Sequence, residues 1–441
     1  MIKKAGYSNL SWQHWIFLLA SGIVYILLAY HIPRFATLPL FTCYGFLFIA
    51  YLWIYKNSTQ EIVGALLFLS IVLRILWLPA LPQLSDDFYR FIWDGRLLAN
   101  GTNPFAFTPE QLQQQDLLHN FGLNIEIFNK LNSPQYFTIY PPINQAIFYV
   151  AAKLSSDSIL GAVIIMRTFI ITAEIGNLLL LQSMVKQKKL PPQLVILYAL
   201  NPLVVIELTG NLHFEAIMIF FLLFAVYSWQ RKKAFTGGVM MAFSIATKLL
   251  PLMLLPLWLG RLPWRKLLIF YFATTITSFL LFSFLLDYAF LQGMQSSISL
   301  YFQKFEFNAS LYYIIREIGY WWKGYNIIQS AGKYLAILVV FFIAFMIWWQ
   351  RIRNLSVWQA ILWVWLIYLL LATTVHPWYV TPLLAISTFT HYRFAYLWSF
   401  LIFFTYVNYQ VSSYQENLWV VMAEYLTLLS FITWEIFKRK R

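Results

Sequence analysis

Residues 333–350 read KYLAILVVFFIAFMIWWQ, and Arg351 and Arg353 follow directly. No charge interrupts this run after Lys333, and its length lies within the roughly 17 to 25 residues that a helix needs to cross a bilayer. Similar runs recur along the chain, which predicts an all-α polytopic membrane protein with about 12 to 14 transmembrane helices. The other runs lie near residues 13–31, 38–55, 61–82, 158–184, 193–210, 213–229, 234–259, 265–288, 356–374, 376–391, 394–411 and 416–437.

The composition of the 441 residues agrees with this fold class. Hydrophobic residues make up 61% and charged residues 11%, and the mean hydropathy is +0.66, values that do not fit a water-exposed surface. The 19 Trp, 28 Tyr and 40 Phe suit aromatic belts at two membrane interfaces. The composition excludes a separate soluble domain, so we predict a single integral-membrane domain over residues 1–441.

Membrane topology also explains the basic residues. The 31 Lys and Arg give a net charge of +14 and fall mostly in short clusters between apolar runs, as the positive-inside rule requires. Membrane lipids are therefore expected partners, and a nucleic-acid partner is not needed. Cys43 is the only cysteine, which excludes an intrachain disulfide and a metal site built from several thiolates.

The basic clusters orient the chain. We assign them to the cytoplasmic side, which places both termini inside and makes residues 83–141 and 289–332 outer loops. No small-residue cleavage site follows the first run, so we expect it to be a retained helix. The clusters used are Lys3 and Lys4, Arg261 with Arg265 and Lys266, Arg351 with Arg353, and residues 438–441.

One part of this topology has two interpretations. If residues 143–154 form a full crossing, the basic clusters at 186–189 and 231–233 lie outside, against the positive-inside rule. If that segment only dips into the membrane and residues 234–259 break into two short passes around Lys248, both clusters return to the cytoplasmic side. We favour the second interpretation.

The first outer loop begins with residues 85–101, SDDFYRFIWDGRLLANG. Apolar residues recur at helical spacing on one side while Asp87, Arg90 and Asp94 line the other, which predicts an amphipathic helix at the membrane interface. Ser85 can cap the start of this helix, and the Asn-Gly pair can end it.

Asp86 and Asp87 have two interpretations. Acids in the first turn of a helix stabilise its dipole and need no catalytic role. The pair also follows a membrane span, where partial desolvation can raise a carboxyl pKa toward a value useful for a general base. We favour Asp86 as the base, because it comes first after the third span, whereas Asp87 shares a helix face with Arg90 and can pair with it.

The segment from Arg74 through Leu84–Arg96 to Gly101–Phe105 resembles the first-loop signature of the GT-C superfamily of integral-membrane glycosyltransferases. Within it, the chain is most similar to bacterial polyprenyl-phosphate-mannose-dependent mannosyltransferases. The resemblance implies that an acid of the first loop is the catalytic base, that mannose is the sugar, and that the protein lies in a bacterial inner membrane. The resemblance continues through further segments, which occur in the same order as in the family: Tyr140-Pro-Pro142, Asn211-Leu-His-Phe-Glu215, Lys248 with Pro251, Phe307-Asn-Ala-Ser310 and His376-Pro-Trp-Tyr379.

Arg74, Arg167 and Lys248 lie among apolar neighbours, where a charge is costly unless it faces a cavity or an anion. We predict that they bind the donor phosphate, which gains negative charge as the glycosidic bond breaks. The alternatives are a snorkelling Lys248, an internal pair of His213 with Glu215, and an aromatic belt that includes His376. The residues predicted to bind the substrates are Arg90, Asp94, Tyr140, Asn211, His213, Glu215, Asn308, His376 and Tyr379.

These patterns predict transfer of a hexose from polyprenyl phosphate to a hydroxyl acceptor on the outer face, with inversion by direct displacement. The acceptor, which is a glycan, a lipid or a protein, stays open. No nucleotide-binding or zinc-protease motif is present, and no cofactor is firmly implied. A divalent cation stays an open alternative, because two adjacent carboxylates supply fewer than the roughly six oxygens that such a site needs.

The main alternative function is a transporter or a lipid-linked-sugar flippase, which also has many spans and intramembrane cations. Broken helices in two matching halves would favour it, and the sequence shows no such pairing. A carrier also has no need of a long outer loop with an acidic helix. A structural or assembly protein is the least favoured class.

Overall fold

The computed structural model describes residues 10–410 and 416–438. It contains no strand among these residues, apart from one isolated bridge between Phe307 and Thr374, which confirms the all-α fold class. Lys3, Lys4 and residues 439–441, which the topology prediction used, lie outside the described residues.

The α-helices are, in chain order, α1 (Trp12–Tyr30), α2 (Thr37–Asn57), α3 (Val63–Ile75), α4 (Asp87–Ala99), α5 (Pro109–Gln114), α6 (Ile125–Asn129), α7 (Pro142–Leu154), α8 (Ile159–Gln187), α9 (Ile196–Ala199), α10 (Glu215–Gln230), α11 (Ala234–Thr247), α12 (Trp264–Phe282), α13 (Tyr288–Gln303), α14 (Leu311–Lys323), α15 (Ile328–Ile352), α16 (Val357–Leu371), α17 (Thr381–Ser387), α18 (Phe394–Leu401) and α19 (Leu418–Lys438). Short 3-10 helices cover Leu118–Phe121, Pro192–Val195, Leu250–Trp258, Pro377–Val380 and Ile402–Tyr409, and a π-helix covers Val204–Gly210.

Several helices are suited to crossing a membrane. Among the described residues, six are long and apolar enough, namely α1, α2, α8, α12, α15 and α19. The pair Pro192–Ala199 and Val204–Gly210, bent by 55°, adds a seventh candidate. Helices α3, α10, α11 and α16 and the segment Phe394–Tyr409 are apolar but shorter. The protein is therefore a multi-pass membrane protein, and the count of about 12 to 14 crossings stays a prediction.

The structure breaks the predicted span 234–259 at Lys248. Helix α11 ends at Thr247, and Lys248 has extended backbone with φ −145° and ψ 137°. The break arises because Pro251 lacks the N–H that would bond to the Thr247 carbonyl. Helix α7 has 13 residues and is about 20 Å long, shorter than a hydrocarbon core of about 30 Å. The favoured interpretation, with a dipping α7 and a broken 234–259, fits both observations.

Contacts join the two predicted outer loops and, separately, two of the basic clusters. The Ser297 hydroxyl of the second outer loop donates to the Thr138 carbonyl of the first at 3.0 Å. In another part of the molecule, the Arg261 guanidinium donates to the Gln350 side chain at 2.7 Å and to the Leu355 carbonyl at 2.9 Å. The two outer loops therefore lie together, and so do two of the basic clusters assigned to the cytoplasmic side.

Helix α4 is present as predicted, but protein surrounds it. Asp86 is its N-cap, the Ser85 hydroxyl accepts from the Asp87 N–H, and Gly101 ends it with φ +76°. Both faces of α4 are buried, and a Cβ at Gly95 would lie 2.3 Å from the Phe148 carbonyl oxygen of α7. The apolar face predicted to lie on the membrane interface therefore packs against other helices. This packing fixes the position of the two acids at its start.

Candidate active site

A cavity of about 620 Å³ opens beside the N-terminus of α4. The wall of this cavity is formed by segments that are distant in the sequence. They include both outer loops, the break at Lys248 and the end of Ile402–Tyr409. The predicted site residues on this wall are Asp86, Asp87, Arg90, Tyr140, His213, Lys248, His376 and Tyr379. The wall also includes residues that the sequence analysis did not select, among them Arg34, Asn132, Glu306, Trp378, Tyr406 and Tyr409.

Asp86 forms an ion pair with Arg34, whose Nη1 lies 2.6 Å from Asp86 Oδ2. Arg34 comes from the connection between α1 and α2, and its guanidinium lies 5.0 Å from the ring centroid of Tyr409. Arg34 is not among the site residues predicted from the sequence. The available signal was a basic residue in a predicted outer connection, where the positive-inside rule disfavours one.

Asp87 has a different environment. Its Oδ1 accepts a hydrogen bond from Asn132 Nδ2 at 2.8 Å. Burial raises the pKa of the Asp87 carboxyl, while the Asn132 hydrogen bond and the charge of Lys248 act in the opposite direction. The predicted pairing of Asp87 with Arg90 is wrong, because Arg90 pairs with Asp94 one helical turn further on, at 2.9 Å.

Asp94 is fully buried and does not reach the cavity. Its carboxylate accepts hydrogen bonds from Arg90 Nε at 2.9 Å, from Gln145 Nε2 at 3.0 Å and from the Thr138 hydroxyl. Arg90 also donates to the Tyr136 carbonyl at 2.9 Å. Asp94 therefore joins α4, the first outer loop and α7, and it positions Arg90, while its predicted substrate contact stays a prediction.

Lys248 lies where two cavities meet. Its Nζ is 2.8 Å from Glu215 Oε1, and it is 5.8 Å from the ring centroid of Tyr379. A second, mostly apolar cavity of about 570 Å³ shares Ile139, Tyr140, Lys248 and Tyr379 with the first. The second cavity is otherwise formed by Leu250–Trp258, α15 and the end of α16. Glu215 is buried behind Lys248 and is not on the wall of either cavity.

Two histidines flank Trp378 on the cavity wall. The rings of His213 and His376 stack on the indole with centroid distances of 3.6 Å and 4.4 Å. Each imidazole has two ring nitrogens that can take part in hydrogen bonds at this wall.

Asn211 lies behind this wall. Its Nδ2 donates to Glu207 Oε2 at 3.1 Å, and the Tyr406 hydroxyl donates to Glu207 Oε1 at 2.8 Å. Glu207 Oε2 is also 3.5 Å from His213 Nε2. Asn211 therefore belongs to a hydrogen-bond network behind the wall, and its predicted contact with substrate stays a prediction. Glu207, a carboxylate inside an apolar run, was a signal that the sequence analysis did not use.

Arg74 and Arg167 do not reach either cavity. Arg74 is fully buried, with Nη2 2.8 Å from Glu174 Oε2 and Nη1 2.8 Å from the Ala199 carbonyl. Protein groups already occupy the donors of both arginines, and their predicted phosphate role stays a prediction. Arg167 donates to the carbonyls of Trp77, Leu78, Ala80, Thr209 and Gly210 at 2.5 to 2.9 Å, which stabilises the ends of two helical segments.

Asn308 is also buried away from the cavity. Its Nδ2 donates to Glu424 Oε1 at 3.2 Å, and its carbonyl accepts from the Tyr425 hydroxyl at 2.7 Å. Asn308 therefore holds the loop that places Glu306 and Phe307 on the wall, and its predicted substrate contact stays a prediction.

No group of three or more His, Cys, Asp or Glu side chains in residues 10–410 and 416–438 is arranged to hold a metal ion. The divalent cation that Asp86 and Asp87 could hold gains no further carboxylate or imidazole ligand from this part of the chain.

A comparison with family models identifies the family of this chain. Residues 10–262, more than half of the chain, match the model of the MptA_B family, described as alpha-(1->6)-mannopyranosyltransferase, N-terminal domain. No curated protein and no solved structure matches the chain. The match covers the first-loop signature, both of its acids and Lys248, and it confirms the resemblance to membrane mannosyltransferases. The chain is therefore a glycosyltransferase that belongs to the MptA_B family of mannopyranosyltransferases.

Proposed function

We propose that this mannosyltransferase uses a polyprenyl-phosphate sugar as its donor and transfers the sugar to an acceptor hydroxyl in the 620 Å³ cavity. The junction of the two cavities at Lys248 carries this proposal. A polyprenyl chain requires an apolar groove, its phosphate requires a cation, and its sugar requires polar groups. The apolar cavity, Lys248 and the cavity beside Asp87 supply these three environments in this order.

Polar atoms without protein partners are available on the sugar side. Nη2 of Arg90 and Nδ1 of His376 are buried on the wall and have no hydrogen-bond partner among the described residues. A buried polar atom without a partner is costly, so a substrate hydroxyl that bonds to it contributes binding energy. Tyr140 and Tyr379 stand on the wall of both cavities and are suited to contact the donor where its phosphate joins its sugar.

The proposed reaction is a direct displacement at the anomeric carbon. The acceptor oxygen forms a bond to this carbon while the bond to the phosphate oxygen breaks, and polyprenyl phosphate leaves with the electron pair. A carboxylate of the first loop accepts the acceptor's proton. Lys248 stabilises the negative charge that develops on the phosphate, and this interaction is stronger in the transition state than in the ground state. Attack from the face opposite the phosphate inverts the anomeric configuration.

Asp87 is better suited than Asp86 to be the base, contrary to the preference drawn from sequence. Asp86 is ion-paired with Arg34, so accepting a proton would break an existing interaction between opposite charges. Asp87 accepts a hydrogen bond from a neutral amide, and burial raises its pKa. A base with a raised pKa accepts a proton more readily near neutral pH.

We place the active site on the outer face of a bacterial inner membrane. The cavity wall includes Arg34, which follows the first span, Asp86, which follows the third, and His213, which follows the bent pair. Because the basic clusters are assigned to the cytoplasmic side, each of these positions falls on the outer side. Cysteines introduced at the exposed residues Gln113 and Gln295 should therefore react with an impermeant reagent from outside, and one at Asn354 should not. Outside labelling of Asn354 would contradict this orientation.

The function can be tested with purified protein in liposomes, a labelled polyprenyl-phosphate mannose and separate glycan, lipid and peptide acceptors. We expect covalent transfer of the label, inversion at the anomeric carbon, and the α-(1→6) linkage that the family description names. Movement of the label across the bilayer without covalent transfer would contradict the proposal and would favour the flippase alternative.

A further inference from the structure

Helix α14 has two unlike faces. It follows the loop that carries Glu306 and Phe307 on the cavity wall. Tyr312, Tyr313 and Gly319 are buried on its inner face. The opposite face is apolar and exposed, with side chains three or four residues apart, as on one side of a helix. The exposed fractions there are 41% for Leu311, 61% for Ile314, 50% for Ile318, 86% for Trp321 and 76% for Trp322.

The inner face of α14 is bonded to the active-site wall. The Tyr312 hydroxyl donates to Glu306 Oε2 at 2.7 Å, and Arg316 Nη1 donates to Glu306 Oε1 at 3.2 Å. A Cβ at Gly319 would lie 2.5 Å from the Ile327 side chain, so the helix also lies close to the turn before α15. The orientation of α14 is therefore fixed by the protein on one side.

The helix that follows α14 in the chain is a candidate membrane span. α14 ends at Gly324, which has φ +77°, and α15, a candidate membrane span, begins at Ile328. α14 itself has 13 residues and is about 20 Å long, too short to cross a bilayer. The exposed apolar side chains of α15 include Tyr334, Ile337, Leu338, Phe341, Phe345 and Trp348.

We propose that α14 is an interfacial helix whose partner is the lipid bilayer, with its apolar face inserted at the boundary between headgroups and acyl chains. An apolar face of this size is an aggregation hazard in water, whereas Trp and Tyr concentrate at membrane interfaces. Trp321 and Trp322 lie seven and six residues before Ile328, which places them at the membrane level where α15 starts. Lys323, which is exposed at the end of α14, suits the headgroup side of such a helix.

This inference goes beyond the transfer reaction and does not depend on it. Because the same helix donates two hydrogen bonds to Glu306, its insertion in the bilayer also stabilises the wall of the polar cavity. α15, which forms part of the apolar cavity, begins after the next turn. The two cavities are therefore held at a fixed depth relative to the bilayer surface.

The test uses the full chain reconstituted in liposomes, with Cys43→Ala as the background. Single spin labels are placed through Ile314→Cys, Ile318→Cys and Trp321→Cys, and Glu317→Cys is the matched control, because the Glu317 side chain is 51% exposed on the polar side of the same helix. The measured quantity is the collision rate of each label with oxygen divided by its collision rate with a water-soluble nickel complex. We expect this ratio to be several-fold higher at the three positions on the apolar face than at Glu317.

Equal ratios at all four positions would overturn the proposal, because the apolar face would then lie in water. Spin–spin broadening at the apolar positions that disappears on dilution with unlabelled protein would also overturn it, since a second copy of the chain would then cover the face. The three positions give independent readings, so one variant that does not fold still leaves the comparison intact.

Discussion

Asp87→Asn should lower turnover about a hundredfold or more, the effect expected for loss of a general base. Asparagine keeps the size of the side chain and most of its hydrogen bonding, but it cannot accept the acceptor's proton. Asp86→Asn is the matched control on the neighbouring residue, and we expect it to retain most activity, because Asp86 mainly neutralises Arg34. The measurement is kcat for mannosyl transfer by variants that insert and fold like the parent.

The pH dependence of transfer activity distinguishes a general base from an acid that only stabilises the start of the helix. Asp87 must be ionised to accept a proton, and burial raises its pKa, so activity should be lost on acidification at a pH above the usual aspartate range. Asn132→Ala removes a hydrogen bond that favours the ionised form and should move this acid limb to higher pH. Asp86→Asn removes a neighbouring negative charge, which contributes to the raised pKa, and should move the limb to lower pH.

Parent-like turnover of both Asp→Asn variants would show that the first-loop acids do not act in catalysis, and would favour the carrier alternative. A large loss for Asp86→Asn with a small loss for Asp87→Asn would contradict the assignment to Asp87 but not the reaction.

Lys248→Ala should lower kcat/KM for the lipid-linked donor about ten- to a hundredfold, as expected for the loss of one charge-assisted contact in a site of low dielectric constant. Lys248→Arg should recover part of this loss, because it keeps the charge. The dependence on acceptor concentration should change little, since the proposal assigns Lys248 to the donor phosphate.

The ion pair with Glu215 requires a second variant. Removing Lys248 leaves a carboxylate that is 1% exposed without its counter-charge, which is itself destabilising. The double variant Lys248→Ala with Glu215→Gln removes this unpaired charge and should restore thermal stability without restoring donor use. Recovery of both properties would show that Lys248 only stabilises the fold.

Several features were predictable from sequence because they depend on local patterns. The length of apolar runs sets the all-α membrane fold, and basic clusters set the predicted sides. The helix that starts at Asp87 and ends before Gly101 follows from its periodicity and its terminal residues. The break at Lys248 follows from a missing N–H at Pro251. The first-loop motif was specific enough to identify a family that the comparison with family models confirms.

Tertiary structure alone decided which charged residues reach the cavity. Arg74, Arg167 and Lys248 look alike in sequence, as cations among apolar neighbours, but only Lys248 lies on the cavity wall, because Glu174 and backbone carbonyls occupy the donors of the two arginines. The difference between Asp86 and Asp87 likewise depends on Arg34, which is distant in sequence. Local patterns determine where a helix begins and ends, whereas the partner of a buried charge depends on which distant segments pack beside it.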